Sequence, residues 1–176
     1  MKRLHCRSFK SSVSNANSLE AAKVFALLRG KVPYMTHVVR RHTIEQDRRG
    51  IDYIVYRRGR RPLYVDLKEV AYAPGEEDLI LLETKMRGQN EAPGWALDET
   101  KRTDLILIVR GDGSTVLLSA RRVRAALTES STRWDDCQRG SKGTPGFYEW
   151  FYSDYVLVPR VELEAECNRI GRQWRN

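Results

Sequence analysis

One stretch, Gly50 to Glu69, reading GIDYIVYRRGRRPLYVDLKE, limits what this chain can fold into. Two runs rich in Ile, Val and Tyr, IDYIVY and PLYVDL, flank the turn-like segment Arg57-Arg58-Gly59-Arg60-Arg61. β-Branched and aromatic residues on both sides of a short glycine-containing break predict a β-hairpin. Asp52 opens the first strand, and the triplet Asp66-Leu67-Lys68 falls late in the second. The start of one antiparallel strand lies opposite the end of its partner, so Asp52 can sit across the ladder from Asp66 and Lys68. Side chains alternate between faces, which puts Asp66 and Lys68 on one face and Leu67 on the other. Asp52 joins them only if it pairs with an even-numbered residue. A loop centred near Gly59 or Arg60 permits that register without forcing it.

Two carboxylates and an ammonium on one patch of sheet suit a divalent metal site. Magnesium wants oxygen ligands and usually takes one or two carboxylates, leaving positions for water and phosphate. A metal so held activates water and stabilises phosphoryl charge, and a lysine beside it can hold water or phosphate by charge-assisted hydrogen bonds. Asp52 followed by Asp66-x-Lys68 on the next strand resembles the signature of the PD-(D/E)XK nuclease superfamily. The Gly50-Ile51-Asp52 opening and the spacing are similar to those of its small Holliday-junction resolvases and phage-type nucleases, with Ile51 in place of the usual proline.

The resemblance covers residues 18 to about 110, and weakly the aromatic C-terminal strand. It implies a restriction-endonuclease-like α+β fold: an αβββαβ core with a mixed sheet flanked by helices. It also implies an endonuclease that hydrolyses DNA with Mg2+, for which Mn2+ can substitute. Asp52 and Asp66 would bind the metal, Lys68 would orient the water or stabilise the phosphorane-like charge, and Glu20 or Glu83 would complete the shell. Junction-type relatives are dimers, which makes a homodimer an expectation, and the DNA structure attacked stays open. Gln46 or Asp47, just ahead of Gly50, would be a further polar residue near the site.

Plainer readings compete. Acid-x-Lys triplets arise by chance in charged chains, and Glu83-Thr84-Lys85 is a second one here. An Asp and a Lys on an exposed strand also make an ordinary cross-strand ion pair. Within the resemblance two assignments stand: Asp52, Asp66 and Lys68 with Glu83 as an extra carboxylate from the neighbouring strand, or Asp66 upstream of a Glu83-x-Lys85 triplet. The first keeps the superfamily's order, a strand near residues 37–43, then Asp52, then Asp66-x-Lys68. Outside the enzyme class, the alternatives are a non-catalytic nucleic-acid-binding module on a nuclease-like fold and an interaction protein whose basic face meets an acidic partner.

With 176 residues the chain suits one domain, residues 18–176, behind a basic arm at 1–17; its core would end near 129, with 130–176 as an extension. Charged residues make up 31% and the net charge is +8, with arginine pairs at Arg40-Arg41, Arg48-Arg49, Arg57-Arg58, Arg60-Arg61 and Arg121-Arg122. Arginine suits bidentate phosphate contacts, and this balance favours a nucleic-acid partner. Candidate contacts are Arg57, Arg58, Arg60 and Arg61 on the hairpin and Arg121, Arg122 and Arg124 on a later basic helix. Cys6, Cys137 and Cys167 lack metal-ligand spacing and point to a reducing, cytoplasmic setting without disulfides. No apolar run reaches membrane-span length, and MKRLHCRSFK has no signal-peptide core.

Along the chain, Ser18 can cap a helix whose Leu19, Ala22, Phe25 and Leu28 recur up to Gly30, with Glu20 in its first turn. Residues 36–43 predict a strand, and His37 and His42 there receive no role. Residues 79–82 predict a short strand with Glu83 emerging at its end, 104–109 a buried strand, and 111–113 a tight turn into a strand at 115–118. Ser119 is the expected cap of ARRVRAALTE, with Val123, Ala126 and Leu127 inward. Residues 130–146 read as a polar, Gly-rich loop, 147–158 as an aromatic strand that closes the core, and 160–174 as a helix carrying Val161, Leu163, Ala165, Cys167 and Ile170 inward. Trp95 reads as a core anchor.

Overall fold

The computed structural model describes residues 20–41, 43, 45–46, 49–70, 78–87, 91–135, 137–145 and 150–174. The protein is α+β, with two sheets and three α-helices among the described residues, and it forms two compact units. The first comprises the described parts of Lys10–Ala71 and Thr100–Leu117, and the second those of Tyr72–Glu99 and Leu118–Asn176. The expected arm at 1–17, the Ser18 cap and His42 lie outside the described residues. No helix among them is long and apolar enough to cross a membrane.

The first unit is built on helix α1 (Ala21–Leu28) and strands β1 (Met35–Arg40), β2 (Tyr53–Arg57), β3 (Arg60–Val70), β6 (Leu105–Arg110) and β7 (Thr115–Ser119). They form one sheet in the order β1-β2-β3-β6-β7. β1–β2 and β2–β3 are antiparallel and β3–β6 is parallel, so the sheet is mixed. The expected hairpin is present, with Gly59 at φ +64 in its turn. Odd-numbered residues build one face. Tyr53, Val55, Val65, Leu67 and Leu107 cluster with Val24, Leu28 and Val32, and Leu63, Leu105, Val109 and Leu117 pack against them. Ile54, Ile106 and Ile108 alternate to the opposite face and are also buried. A sheet with both faces buried explains why β6 reads as one continuous apolar run.

α1 starts at Ala21, with Glu20 at the N-cap position rather than in the first turn, and no side-chain cap bond. Gly30 just past its end adopts φ +80, the left-handed turn that stops a helix.

The second unit contains β4 (Leu79–Arg87), β5 (Ala92–Pro93), α2 (Ala120–Glu129), a 3-10 turn (Ser131–Trp134), β8 (Gln138–Pro145), β9 (Trp150–Pro159) and α3 (Arg160–Gln173). Its sheet runs β5-β4-β9-β8, all antiparallel. Four expectations are corrected here. β4 does not end at Leu82 but runs on through Glu83, Thr84 and Lys85, and it is no neighbour of β3. Within the stretch read as a loop, Gln138–Pro145 is a strand, because partner β9 supplies the pairing that polar, Gly-rich residues do not signal by themselves. Val161 is 65% exposed and Ala165 is exposed too, while Glu166 is buried: the inward stripe of α3 is Leu163, Glu166, Cys167 and Ile170. Trp95 is only half-buried, and the buried indole is Trp134, which donates from Nε1 to the Ala126 carbonyl at 2.9 Å.

A charge so deep in a helix interface needs partners. Glu166 accepts from Ser130, from Arg169 Nη2 at 2.6 Å and from Arg133 Nη1 at 3.3 Å. The Arg169 and Ser130 hydrogen bonds, with both guanidinium charges, hold its pKa down to about 2 against the opposing effect of burial.

Asp104 ties the parallel junction of β3 and β6. Its Oδ2 accepts from Tyr64 N at 2.9 Å, and Arg61 forks onto both oxygens at 3.0 and 2.6 Å. The Arg61 side chain is 66% exposed, so its ion pair adds little. The main-chain bond is part-buried and leaves an orphan donor when removed. Asp104→Ala is expected to cost about 1–3 kcal/mol in urea unfolding. Asp104→Asn, which keeps an acceptor for Tyr64, should cost less than half as much; equal losses would mean that the Arg61 pair dominates.

Candidate active site

Asp52 stands one residue before β2 and is placed by main-chain bonds on both sides. Its N–H donates to the Val65 carbonyl at 3.0 Å, and its carbonyl accepts from Arg41 N at 2.8 Å. The ladder pairs Tyr53 with Val65 and Ile54 with Tyr64, so Asp52 continues it opposite Asp66. The even-numbered register is therefore the one adopted, and Asp52, Asp66 and Lys68 share a face. The approach to Asp52 is pinned from behind: Thr103 Oγ1 donates to the Gly50 carbonyl at 2.7 Å and Arg102 N to the Arg49 carbonyl at 2.9 Å. Gly50 has φ +67, and a Cβ there would lie 2.6 Å from Thr103 Oγ1, so only glycine fits ahead of Ile51-Asp52.

The carboxylates are coupled. Asp52 Oδ2 accepts from Leu67 N at 2.7 Å. Asp66 is 6% exposed, and its Oδ1 lies 2.9 Å from Lys68 Nζ. Burial first, and the Asp66 charge second, push the Asp52 pKa up to about 7, while the Leu67 N–H and the Lys68 charge oppose the rise and a side-chain hydrogen bond to Asp66 adds to it. Asp52 therefore keeps its proton until near neutrality.

The remaining candidates fall elsewhere. Glu20 is exposed at the start of α1, whose Val24 and Leu28 pack on the face opposite Asp66. Glu83 lies on β4 of the second unit, where a bulge separates it from Lys85 and Lys85 pairs with Glu91 at 2.5 Å. Glu83 was expected on the strand beside Asp66 and is not there, because β6 takes that place. Gln46 accepts main-chain bonds from Arg49 and Ile51, and its Oε1 is buried without a hydrogen-bond partner among the described residues; Asp47 lies outside them.

The arginines divide. Arg57 donates to the Arg61 carbonyl at 2.8 Å and Arg61 binds Asp104, whereas Arg58 and Arg60 are exposed at the hairpin tip. Arg121 lies 4.1 Å over the Trp174 ring, Arg122 packs on Gly171, and Arg124 is half-buried.

One group of residues was not legible in the chain. Tyr34 is 62% exposed at φ 62, its carbonyl accepts from Arg58 N at 2.9 Å, and the Arg60 guanidinium lies 4.9 Å over its ring. His37 stacks on Tyr56 with centroids 4.4 Å apart and planes within 9°. A left-handed backbone costs a bulky residue roughly 1–2 kcal/mol, and an exposed cation–π contact returns only about 0.5–1 kcal/mol. Tyr34 is held at a net cost.

Among the described residues, no group of three or more His, Cys, Asp or Glu side chains gathers where a metal could sit. The donor set still fits a hard cation that takes one or two carboxylates and fills its shell with water and phosphate. Asp52 and Asp66 face each other, and the proton that burial, and next the Asp66 charge, retains on Asp52 marks where a cation would be favoured.

The raised Asp52 pKa makes a signed prediction. The folded state holds this proton more tightly than the unfolded chain does, so the stability it contributes is full below about 4 and is lost as pH rises through about 7. Asp52→Asn retains an acceptor for Leu67 N–H and removes the titration. In thermal melts of metal-free protein its gain over wild type should be near zero at pH 4 and largest above pH 7; a gain that ignores pH would contradict the proton held on Asp52. Compared with known proteins, the chain matches no family model, no curated protein and no solved structure, so the site is read from its own residues.

Proposed function

We propose that this protein is a metal-dependent endonuclease that hydrolyses DNA phosphodiester bonds, on a fold of the restriction-endonuclease type. The observation that carries the reading is the meeting of Asp52, Asp66 and Lys68 on one sheet face, with a retained proton on Asp52. The order α1, β1, β2, β3, then a strand parallel to β3, supports the αβββαβ core. It departs from that core in the crossover, whose described residues carry β4 and β5 instead of a helix.

Asp52 and Asp66 would hold Mg2+ or Mn2+. Bound there, the ion supplies Lewis-acid stabilisation of the charge that grows on the phosphate. Lys68 is on the same face, its ammonium 2.9 Å from Asp66 Oδ1, and can donate to the attacking water or to a phosphate oxygen. Water attacks phosphorus, the bond to the sugar oxygen breaks, and that oxygen leaves with a proton. Burial of Asp66 concentrates the field that these groups exert.

A second reading has its own support. With two carboxylates and no third acidic, histidine or cysteine group gathered with them among the described residues, the trio also suits a non-catalytic DNA-binding module closed by the Asp66–Lys68 pair. Incubation with labelled duplex, flap, junction and single-stranded DNA, with Mg2+ or with EDTA, separates the two. Cleavage that EDTA stops supports the enzyme.

In that assay Asp66→Asn should abolish cleavage while DNA binding is kept or tightened, since it removes metal charge and repulsion toward phosphate together. Lys68→Ala should slow cleavage on the order of 10²-fold, the loss of one preorganised electrostatic group. Lys85→Ala should be mild, because Lys85 is paired with Glu91 in the other unit. Equal, small losses at both lysines would favour the binding module.

A further inference from the structure

We propose that the tip of the β1–β2–β3 meander is a docking surface for single-stranded DNA: Tyr34 and the His37–Tyr56 pair stack on unpaired bases, and Arg58 and Arg60 hold the phosphates. This rests on the nuclease reading and narrows its substrate to DNA with an unpaired strand beside the cut.

The first argument is the backbone of Tyr34. A tyrosine at φ 62, 62% exposed as a residue, sits in a conformation that glycine takes freely and is not rewarded by burial. Strain of this kind persists where the side chain is needed in place. Arg58 N fixes the Tyr34 carbonyl, and the Arg60 guanidinium lies over the ring. An aromatic face beside an arginine is what a base stacks on in sequence-tolerant single-strand binding.

The second argument is position. Val38 and Val55 pair with each other and both pack on the α1 side, so His37 and its partner Tyr56 point to the other face, the one that bears Asp52 and Asp66. Tyr56 is four residues along β2 from Asp52, about 13 Å at the rise of a strand. Tyr64, on the same face opposite Ile54, lies between them. The rings and the acids therefore belong to one face of the sheet.

The third argument separates single strands from duplex. Of the four hairpin arginines, Arg57 and Arg61 are turned onto a carbonyl and onto Asp104. The exposed Arg58 and Arg60 stand beside the exposed Tyr34 and His37. In a duplex the base faces are already stacked on one another and cannot reach these rings. An unpaired strand offers both π-faces and phosphates.

The test uses the full chain carrying Asp66→Asn, in EDTA, and reads fluorescence anisotropy of labelled DNA. A single strand should bind at least tenfold tighter than the duplex of the same sequence, and abasic sites introduced into it should weaken binding. Tyr34→Gly should lower single-strand affinity on the order of tenfold with little change for duplex, and without lowering the melting temperature, because glycine relieves the backbone. His37→Ala, at an exposed position, is the second variant and should lower the same affinity. Unchanged single-strand affinity in both variants, or equal losses on single strand and duplex, overturns the proposal. So does an RNA strand or poly-glutamate bound more tightly than the DNA. Wild-type protein that cuts nothing with Mg2+ while these binding results hold removes the nuclease reading and leaves the surface standing.

Discussion

The pairing of Tyr53 with Val65 decides which side chains of the first unit ever meet. Strand side chains repeat with period two, so a slip of one residue would send Val65 and Leu67 out of the α1 cluster and put Asp66 into it. The apolar odd-numbered residues and the ionic even-numbered ones thus enforce each other. Gly59 closes the turn at the length that this register needs, and Gly50 brings the chain in at the angle that leaves Asp52 next to Asp66. The candidate site is a by-product of correct core packing.

The same register creates an electrostatic debt on the ionic face. Asp66 is almost fully buried, Asp52 is partly so, and one ammonium cannot neutralise two carboxylates. The fold meets this with the Leu67 N–H and with a proton on Asp52. Glu166 in the second unit shows the contrasting solution: two guanidiniums and a hydroxyl surround one carboxylate and keep it ionised. One acid is fully compensated, and the other pair is left short of a positive charge. That shortage distinguishes a site from a staple.

Much of this was legible in the chain, and the failures have physical causes. The hairpin, β6, β7 and α2 announced themselves because burial on a regular surface repeats in sequence, and Asp52, Asp66 and Lys68 came together because register follows from turn length. β8 stayed hidden because an edge strand of Gly, Ser, Lys and Thr takes its structure from its partner. Glu83 was expected beside Asp66 because consecutive strands usually pair; here β4 pairs with β9, far along the chain. Tyr34 was invisible because nothing in the letters Pro-Tyr-Met reveals a left-handed backbone. Val161 misled because an apolar residue two positions before Leu163 lies off the helix stripe.

The parallel pairing of β3 with β6 carries a consequence for the order of assembly. β2 and β3 are joined by the two-residue turn Arg58-Gly59 and β1 reaches β2 through residues 41–52, so the meander forms from contacts closer in sequence than the β3–β6 pairing. β6 comes only after the chain has left for the second unit's β4 and β5 and returned near Thr100. Until then Val65–Val70 presents an open strand edge with apolar neighbours, the kind of template that attracts another chain. The hairpin that sets Asp52 against Asp66 is local in sequence and the β3–β6 pairing is not, so contact order makes the docking of β6 the step expected to come last.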